Sequence, residues 1–346
     1  MTQLTGEPLV DVTRGEIVES IHNVALCATD ARGSVLLSLG DVDAPVYLRS
    51  TAKPFIAAAV VASGAVQRFG LEQREVAVMA ASHSGESFHV EAVRSILEKI
   101  GVDEGMLLCG AHAPYNVQAA RDLERGGLGY SAVHNNCSGK HAGILALATV
   151  LGADYQTYVE PENLAQQVIL NFCARIMDDD IRTWPLAIDG CSIPVFATTL
   201  RRSAQAFARV ATLEQLSEDD AAALQTVREA MMAFPKYVSG TGEFDTVLME
   251  CGSGKIACKG GAEGVHGDAL IERRAGLAVK VTDGGKRAVA PVVVGALEAL
   301  GGLDAEMEER LTAFARPTLH NRAGLAVGEI AARRAILKQA RKALAQ

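Results

Sequence analysis

No stretch of this sequence concentrates enough Lys or Arg for a phosphate-tracking groove. Its 33 basic residues face 41 acidic ones, a formal charge of −8 with His neutral. A groove that tracks phosphates needs clustered positive charge, so nucleic acid is excluded as a partner. Long apolar runs are also missing: Ile56 to Ala62 falls far short of the roughly 18 to 20 residues that cross a bilayer, and no membrane span is expected. Met1 to Val10 lack the basic start and apolar stretch of an export signal, which makes the cytoplasm the expected location. Seven cysteines are present, Cys27, Cys109, Cys137, Cys173, Cys191, Cys251 and Cys258, but none form a CxxC pair. In a chain too large to depend on disulfides, an odd set of this kind reads as reduced thiols, each by default a small buried hydrophobe. No fixed-period repeat and no Pro/Ser-rich linker interrupts the chain. Residues 1–346 therefore read as a single domain, in which two lobes would have no clear linker between them.

What is there is a globular composition, 49% apolar and 21% charged, which excludes fibrous and disordered chains. Ile17 to Leu26 and Ser34 to Leu39, joined across Asp30 to Gly33, read as two hairpin strands at the first edge of an antiparallel sheet. Phe55 to Val66 is apolar on every side, the pattern of a helix buried all round. Further helices are expected at Glu72 to Ala81, Val90 to Ile100, Lys140 to Leu151, Pro161 to Ile176, Pro194 to Val210 and Ala221 to Ala233. Short strands follow at Thr246 to Glu250, Lys255 to Lys259 and Leu277 to Thr282, then helices at Ala290 to Leu300 and Glu329 to Ala345. Strands from both chain ends around a largely helical middle predict an α+β fold with a mainly antiparallel sheet.

Four segments carry chemistry. In Arg49-Ser50-Thr51-Ala52-Lys53-Pro54, Pro54 belongs to a first helical turn, so Ser50 stands at the helix start with Lys53 one turn on. A desolvated lysine can take a serine's proton, and a helix N-terminus favours the resulting charge; the alternative is a capping serine beside a solvated lysine. Ser82-His83-Ser84-Gly85-Glu86 is a small polar cluster that also suits a helix cap. Ile256 to Gly264 reads as a strand ending in Lys259 and two glycines, which let backbone approach a ligand. Taken in order, these three repeat the Ser-x-x-Lys, serine loop and strand-borne Lys-x-Gly of penicillin-recognising serine acylases. The fourth, Asn135 to Gly143, opens a helix with exposed N–H groups suited to an anion. It is no P-loop, because His134 and His141 stand where Gly and Ser or Thr are needed. Gly252 to Ala257 spells Gly-x-Gly-x-x-Ala but runs into a strand, which excludes a dinucleotide site.

Together, Ser50 to Lys53, Ser82 to Glu86, Asn135 to His141, Asp189-Gly190-Cys191-Ser192-Ile193-Pro194 and Lys259 to Gly264 resemble the asparaginase II family, the rhizobial-type or third-class L-asparaginases. The resemblance runs from Arg14-Gly15-Glu16 to Asn321-Arg322-Ala323-Gly324. It implies a fold related to serine β-lactamases and serine-dependent glutaminases, a homodimer, and hydrolysis of L-asparagine to L-aspartate and ammonia. Residue by residue it implies two pairs, Ser50 with Lys53 and Ser82 with Lys259. Ser50 is expected as nucleophile and Lys53 as its base, with Ser82 and Lys259 relaying protons. Arg49 and Asp189 would hold the substrate's carboxylate and amino group, with His83 and Gly260 beside them. The resemblance also implies zinc on Cys137, Lys140 and Cys191, shaping affinity rather than making hydroxide.

A serine β-lactamase or D-Ala-D-Ala peptidase is a rival reading on the same motifs, disfavoured by the missing export signal. A glutaminase is closer still, since one methylene is worth only about 1 to 3 kcal/mol in a pocket. A non-catalytic zinc-bearing amino-acid binding protein would bind without releasing ammonia. The basic run Arg333, Arg334, Lys338, Arg341 and Lys342 reads as a solvated helix face rather than a site for an acidic partner.

Overall fold

The computed structural model describes residues 4–344; Met1, Thr2, Gln3, Ala345 and Gln346 lie outside the described residues. The chain divides into two compact units, one comprising the chain up to Thr51, Ala197–Gln215 and Val247 onward, the other Ala52–Phe196 and Leu216–Thr246. In chain order the strands are β1 (Glu7–Arg14), β2 (Ile17–Thr29), β3 (Val35–Leu39), β4 (Pro45–Tyr47), β5 (Leu186–Ile188), β6 (Pro194–Thr199), β7 (Ile256–Gly261), β8 (Val265–Leu270), β9 (Ala275–Val281), β10 (Thr318–His320) and β11 (Ala326–Ala332).

The first unit is built on a sheet in the order β10-β11-β1-β2-β9-β8-β7, with β3 also paired to β2. Every pairing in it is antiparallel. Strands from the two chain ends thus interleave while helices fill the middle of the sequence, the α+β architecture that the strand and helix pattern predicts. The β2–β3 turn closes as its sequence dictates. Asp30 Oδ1 accepts from the Arg32 and Ser34 N–H groups, and Gly33 takes the left-handed φ of 86°. Helix Leu200–Thr212 lies directly on the sheet because two glycines clear its path. A Cβ at Gly276 would stand 2.1 Å from the Ala204 carbonyl, and one at Gly267 only 2.0 Å from the Phe207 ring. Leu200 and Ala204 of this helix form a core cluster with Ala25, Cys27, Val42, Val46, Val265 and Ala278. Burial pushes the Cys27 thiol up to about 12, so this cysteine packs as a hydrophobe.

The second unit is a helical body around Lys53–Ala62, whose residues from Lys53 to Val61 are all buried. Helices Ser138–Leu151, Leu164–Met177 and Glu218–Ala233 pack against it, which explains why no polar face is legible in its sequence.

Several elements depart from the sequence expectation. The buried helix ends at Ala62, where Gly64 at φ 80° turns the chain into a short helix Ala65–Phe69 that holds Val66. Pro194 to Val210 is not one helix: β6 precedes Leu200–Thr212, and Thr199 caps that helix by accepting from Arg202 N. Thr246 to Glu250 lies in helix Phe244–Gly252 rather than a strand. Among its buried residues Asp245, Leu248, Met249 and Gly252 recur at i, i+3, i+4 and i+7, a helical spacing that a five-residue window cannot display. Glu329 to Ala332 belongs to β11, paired to β1, and the last helix runs Arg334–Leu344. β1, β8, β10 and the helices Val117–Arg125 and Ala305–Ala315 were not legible in the pattern. β2 also lies inside the sheet, between β1 and β9, not at its edge.

The basic run is spent within the chain. Arg334 and Lys338 both pair with Glu298, Arg333 forks onto Asp11, and Arg341 donates to the Ala299 carbonyl. The Lys342 side chain lies outside the described residues. Among the described residues, no helix is long and apolar enough to cross a membrane.

Candidate active site

The second unit gathers Lys53, Ser82, His83, Cys137, Lys140, Asp189 and Cys191. Lys53 opens the buried helix and is 1% exposed, with its whole stem in the apolar interior. Its Nζ donates to the Ala81 carbonyl at 2.6 Å, to Ser82 Oγ at 2.9 Å and to Cys137 Sγ at 3.2 Å. Burial is the largest influence on this amine and lowers its pKa, while the nearby sulfurs of Cys137 and Cys191 oppose that shift. Three acceptors suit an ammonium. A neutral amine can keep two of them as a donor and turn its lone pair to the Ser82 hydroxyl.

Ser82 sits in a loop held from several sides. Its N–H donates to the Val238 carbonyl and the next N–H, of His83, to the Asn136 carbonyl. The His83 ring is fully buried: Nδ1 accepts from Gly85 N and Nε2 stands 2.8 Å from Ser138 Oγ, which donates onward to the Val133 carbonyl. That chain assigns the proton to Nε2. Burial first, then the neighbouring His89 and Lys53, hold this imidazole well below its ordinary pKa, so it braces the loop as a neutral ring. Glu86 closes the motif by accepting from Ser84 Oγ and Thr241 N and by capping helix Ser87–Ile100.

Helix Ser138–Leu151 brings the Asn135 to Gly143 segment alongside. Gly139 is required there, because a Cβ would lie 2.1 Å from the Val78 carbonyl. One residue on, buried Lys140 donates to Cys191 Sγ at 2.8 Å. Cys191 arrives from the tip of the β5–β6 hairpin, residues 189–193, which closes through Asp189 N to the Ile193 carbonyl and Ser192 N to the Asp189 carbonyl. Ser192 follows Cys191 at φ 75°, a left-handed conformation that costs a non-glycine residue. Half-buried Asp189 accepts from Gly190 N. A hydrogen bond with Cys191, together with the Lys53 and Lys140 charges, outweighs burial and holds Cys137 well below the usual thiol range. The same hydrogen bond and burial raise Cys191. For Lys140, burial works downward and the two sulfurs prevail to raise it.

The first unit holds Arg49, Ser50, Lys259 and Gly260. Arg49–Ala52 form a 3-10 turn in which Arg49 takes φ 50° and Ser50 is half-buried. Lys259 on β7 is 1% exposed and donates to the Gly260 carbonyl at 2.5 Å. Gly261 passes so close to Ser50 that a Cβ there would lie 3.2 Å from Ser50 N. Spacing paired Lys53 with Ser50; the structure gives its amine to Ser82, 29 residues away. The Cys137 sulfur beside Lys53, and the bracing roles of Asn136, Ser138 and Val238, carried no sequence signal, since each partner comes from a separate segment.

The family model described as L-asparaginase II matches residues 10–332. No relative of this chain was found among curated proteins. Similar solved structures include crystal structures of Mglu. One is 14% identical with a TM-score of 0.38, covering 84% of this chain and 70% of that one. The native form is 15% identical with a TM-score of 0.36, covering 84% and 63%. The native form in the presence of 4.3M NaCl is 14% identical with a TM-score of 0.34, covering 76% and 57%. This chain thus spans less than two thirds of the length of the latter two.

Proposed function

This chain belongs to the L-asparaginase II family, and we propose that it is an amidohydrolase whose substrate is L-asparagine, hydrolysed to L-aspartate and ammonia through a serine activated by Lys53. The observation that supports this most is the buried Lys53 amine 2.9 Å from Ser82 Oγ. In this reading Ser50, three residues before Lys53 on one helical stretch, attacks the side-chain amide carbon. Its proton passes to neutral Lys53, with the Ser82 hydroxyl as relay. An ester forms on serine as the C–N bond breaks, and the nitrogen leaves as ammonia with the proton that lysine had taken. Water then attacks the ester, gives its proton to the same lysine, and the serine recovers its own. Lys259 offers a second amine for charge, Arg49 and Asp189 hold the substrate's carboxylate and amino group, and His83 and Gly260 shape the surround.

Cys137, Lys140 and Cys191 would hold zinc. The donor set fits the ion: two sulfurs with one thiolate already favoured, and an amine 2.8 Å from one of them, all buried. Lys140 must lose its proton to bind. Bound there, zinc supplies positive charge that strengthens the hold on an anionic substrate group.

The test is ammonia release from L-Asn, L-Gln and D-Asn by the wild type and by Ser50→Ala, Ser82→Ala and Lys53→Arg, with mass spectrometry for a serine-bound acyl group. Ser50→Ala and Lys53→Arg should lose at least about a hundredfold in kcat, and Ser82→Ala should be severely impaired because linked groups fail together. An acyl group on Ser82, with Ser50→Ala active, would exchange the two serine roles. No ammonia from any amide would defeat the reading.

A further inference from the structure

The segment Asn135-Asn136-Cys137-Ser138 has its N–H groups taken up in turn. Asn135 N donates to the Ala132 carbonyl, Cys137 N to Asn135 Oδ1 and Ser138 N to the Asn135 carbonyl, all within three residues along the chain. Asn136 N instead donates to His112 Nε2 at 3.0 Å, an acceptor 24 residues away. The His112 ring is set for that task. Its Nδ1 lies 2.7 Å from the Ala113 carbonyl, which places the proton on Nδ1 and leaves Nε2 as the acceptor. Its face stacks on Tyr115, with ring centroids 4.6 Å apart. The flanking backbone is tied to the serine loop as well: Asn116 N donates to the Ser84 carbonyl, and Pro114 packs where a Cβ on Gly85 would come within 2.9 Å.

The residue that His112 holds is also tied to the serine loop, for the Asn136 carbonyl accepts from His83 N at 3.1 Å. His83 follows Ser82 directly, and Cys137, whose sulfur accepts from Lys53, follows Asn136. We propose that His112 is a positioning residue: by accepting from Asn136 N it fixes, through Asn136, both the Ser82–His83 main chain and the Cys137 sulfur on either side of the Lys53 amine. This rests on the amidohydrolase reading for its effect on turnover, although not for its effect on the backbone. Displacements of about 1 Å in a catalytic group cost on the order of a hundredfold, so one lost acceptor at this point has a measurable consequence.

Two variants separate the acceptor from the ring. His112→Phe keeps the stack on Tyr115 and loses the acceptor, whereas His112→Gln can place Oε1 near the Nε2 position. With L-Asn as substrate, His112→Phe should lower kcat at least about tenfold with KM within about twofold, and His112→Gln should recover kcat to within about threefold of wild type. Hydrogen exchange on the substrate-free proteins should show the Asn136 and His83 amides losing protection in His112→Phe and keeping it in His112→Gln. Wild-type kcat in His112→Phe overturns the proposal, and so does an equal loss in both variants. If the wild type releases no ammonia, the functional reading has failed, and the exchange comparison alone decides this one: unchanged protection in His112→Phe overturns it, selective loss sustains it.

Discussion

At the scale of single residues, the site is a contest between burial and pairing. Lys53 and Lys140 are almost equally buried, yet their pKa values move in opposite directions. For Lys53, desolvation, helped by the Lys140 charge, outweighs the pull of the two sulfurs; for Lys140, the pull of Cys137, Cys191 and Asp189 outweighs desolvation. The contrast suits Lys53 to carrying a proton, whereas Lys140 would have to give up a proton that its surroundings favour before it could bind zinc. On the proposed Cys137, Lys140 and Cys191 site, freshly purified protein should contain about one zinc per chain by metal analysis, falling to a small fraction in Cys137→Ser and Cys191→Ser. A wild type without zinc, or variants that keep it, would remove the metal from the reading. If zinc supports affinity, chelation should raise KM for L-Asn more than it lowers kcat; the reverse pattern would point to metal-activated water.

At the scale of elements, function depends on close backbone approach. The sheet accepts helix Leu200–Thr212 only because Gly267 and Gly276 lack a Cβ. Gly276→Ala should destabilise the protein by about 1 to 3 kcal/mol, the usual range for overpacking a filled interior, read as a lower urea midpoint. Gly129→Ala, where a Cβ meets nothing within 4 Å, serves as the neutral comparison. Equal midpoints for the two variants would mean that the helix can lift from the sheet without loss. The β5–β6 hairpin is the other such element. Its five-residue tip delivers Asp189 and Cys191 together, which a run of Asp, Gly, Cys and Ser announces as a turn but not as a ligand.

For the whole molecule, acid sensitivity follows from buried neutral histidines, among them one that is not in the site's chemistry. His89 is fully buried, with Nδ1 accepting from Glu86 N and Nε2 donating to the Lys236 carbonyl. Burial pushes its pKa down from 6.5 to about 4. Unfolded, the same imidazole protonates near 6.5. Between the two values the unfolded chain binds more protons, so its contribution is complete above about pH 6.5 and is lost as pH falls toward 4, at up to about 1.4 kcal/mol per pH unit. Denaturation across this window should include that slope, and His89→Gln, which can keep both hydrogen bonds, should reduce the total by that share while buried His83 and His141 keep theirs. An unchanged slope would place the acid-sensitive group elsewhere. The family's expected homodimer is checked by sedimentation of the intact chain, where a monomer at micromolar concentration would refute it.

Some of this was decided locally and was legible in the sequence. The Asp30–Gly33 turn, the helix with no polar face, and the three motif segments each depend on residues within a few positions of one another. Backbone sterics, capping and periodicity act over that range. The short runs misled for the same reason: Thr246 to Glu250 is too brief to separate helical from strand spacing, and Pro194 to Thr199 became strand by pairing with β4 and β5. What only the tertiary structure decided is which groups meet. Lys53 reaches Ser82 across 29 residues and Lys140 reaches Cys191 across 51. No spacing rule covers such distances, because they are closed by the packing of whole helices and a hairpin rather than by the geometry of one turn.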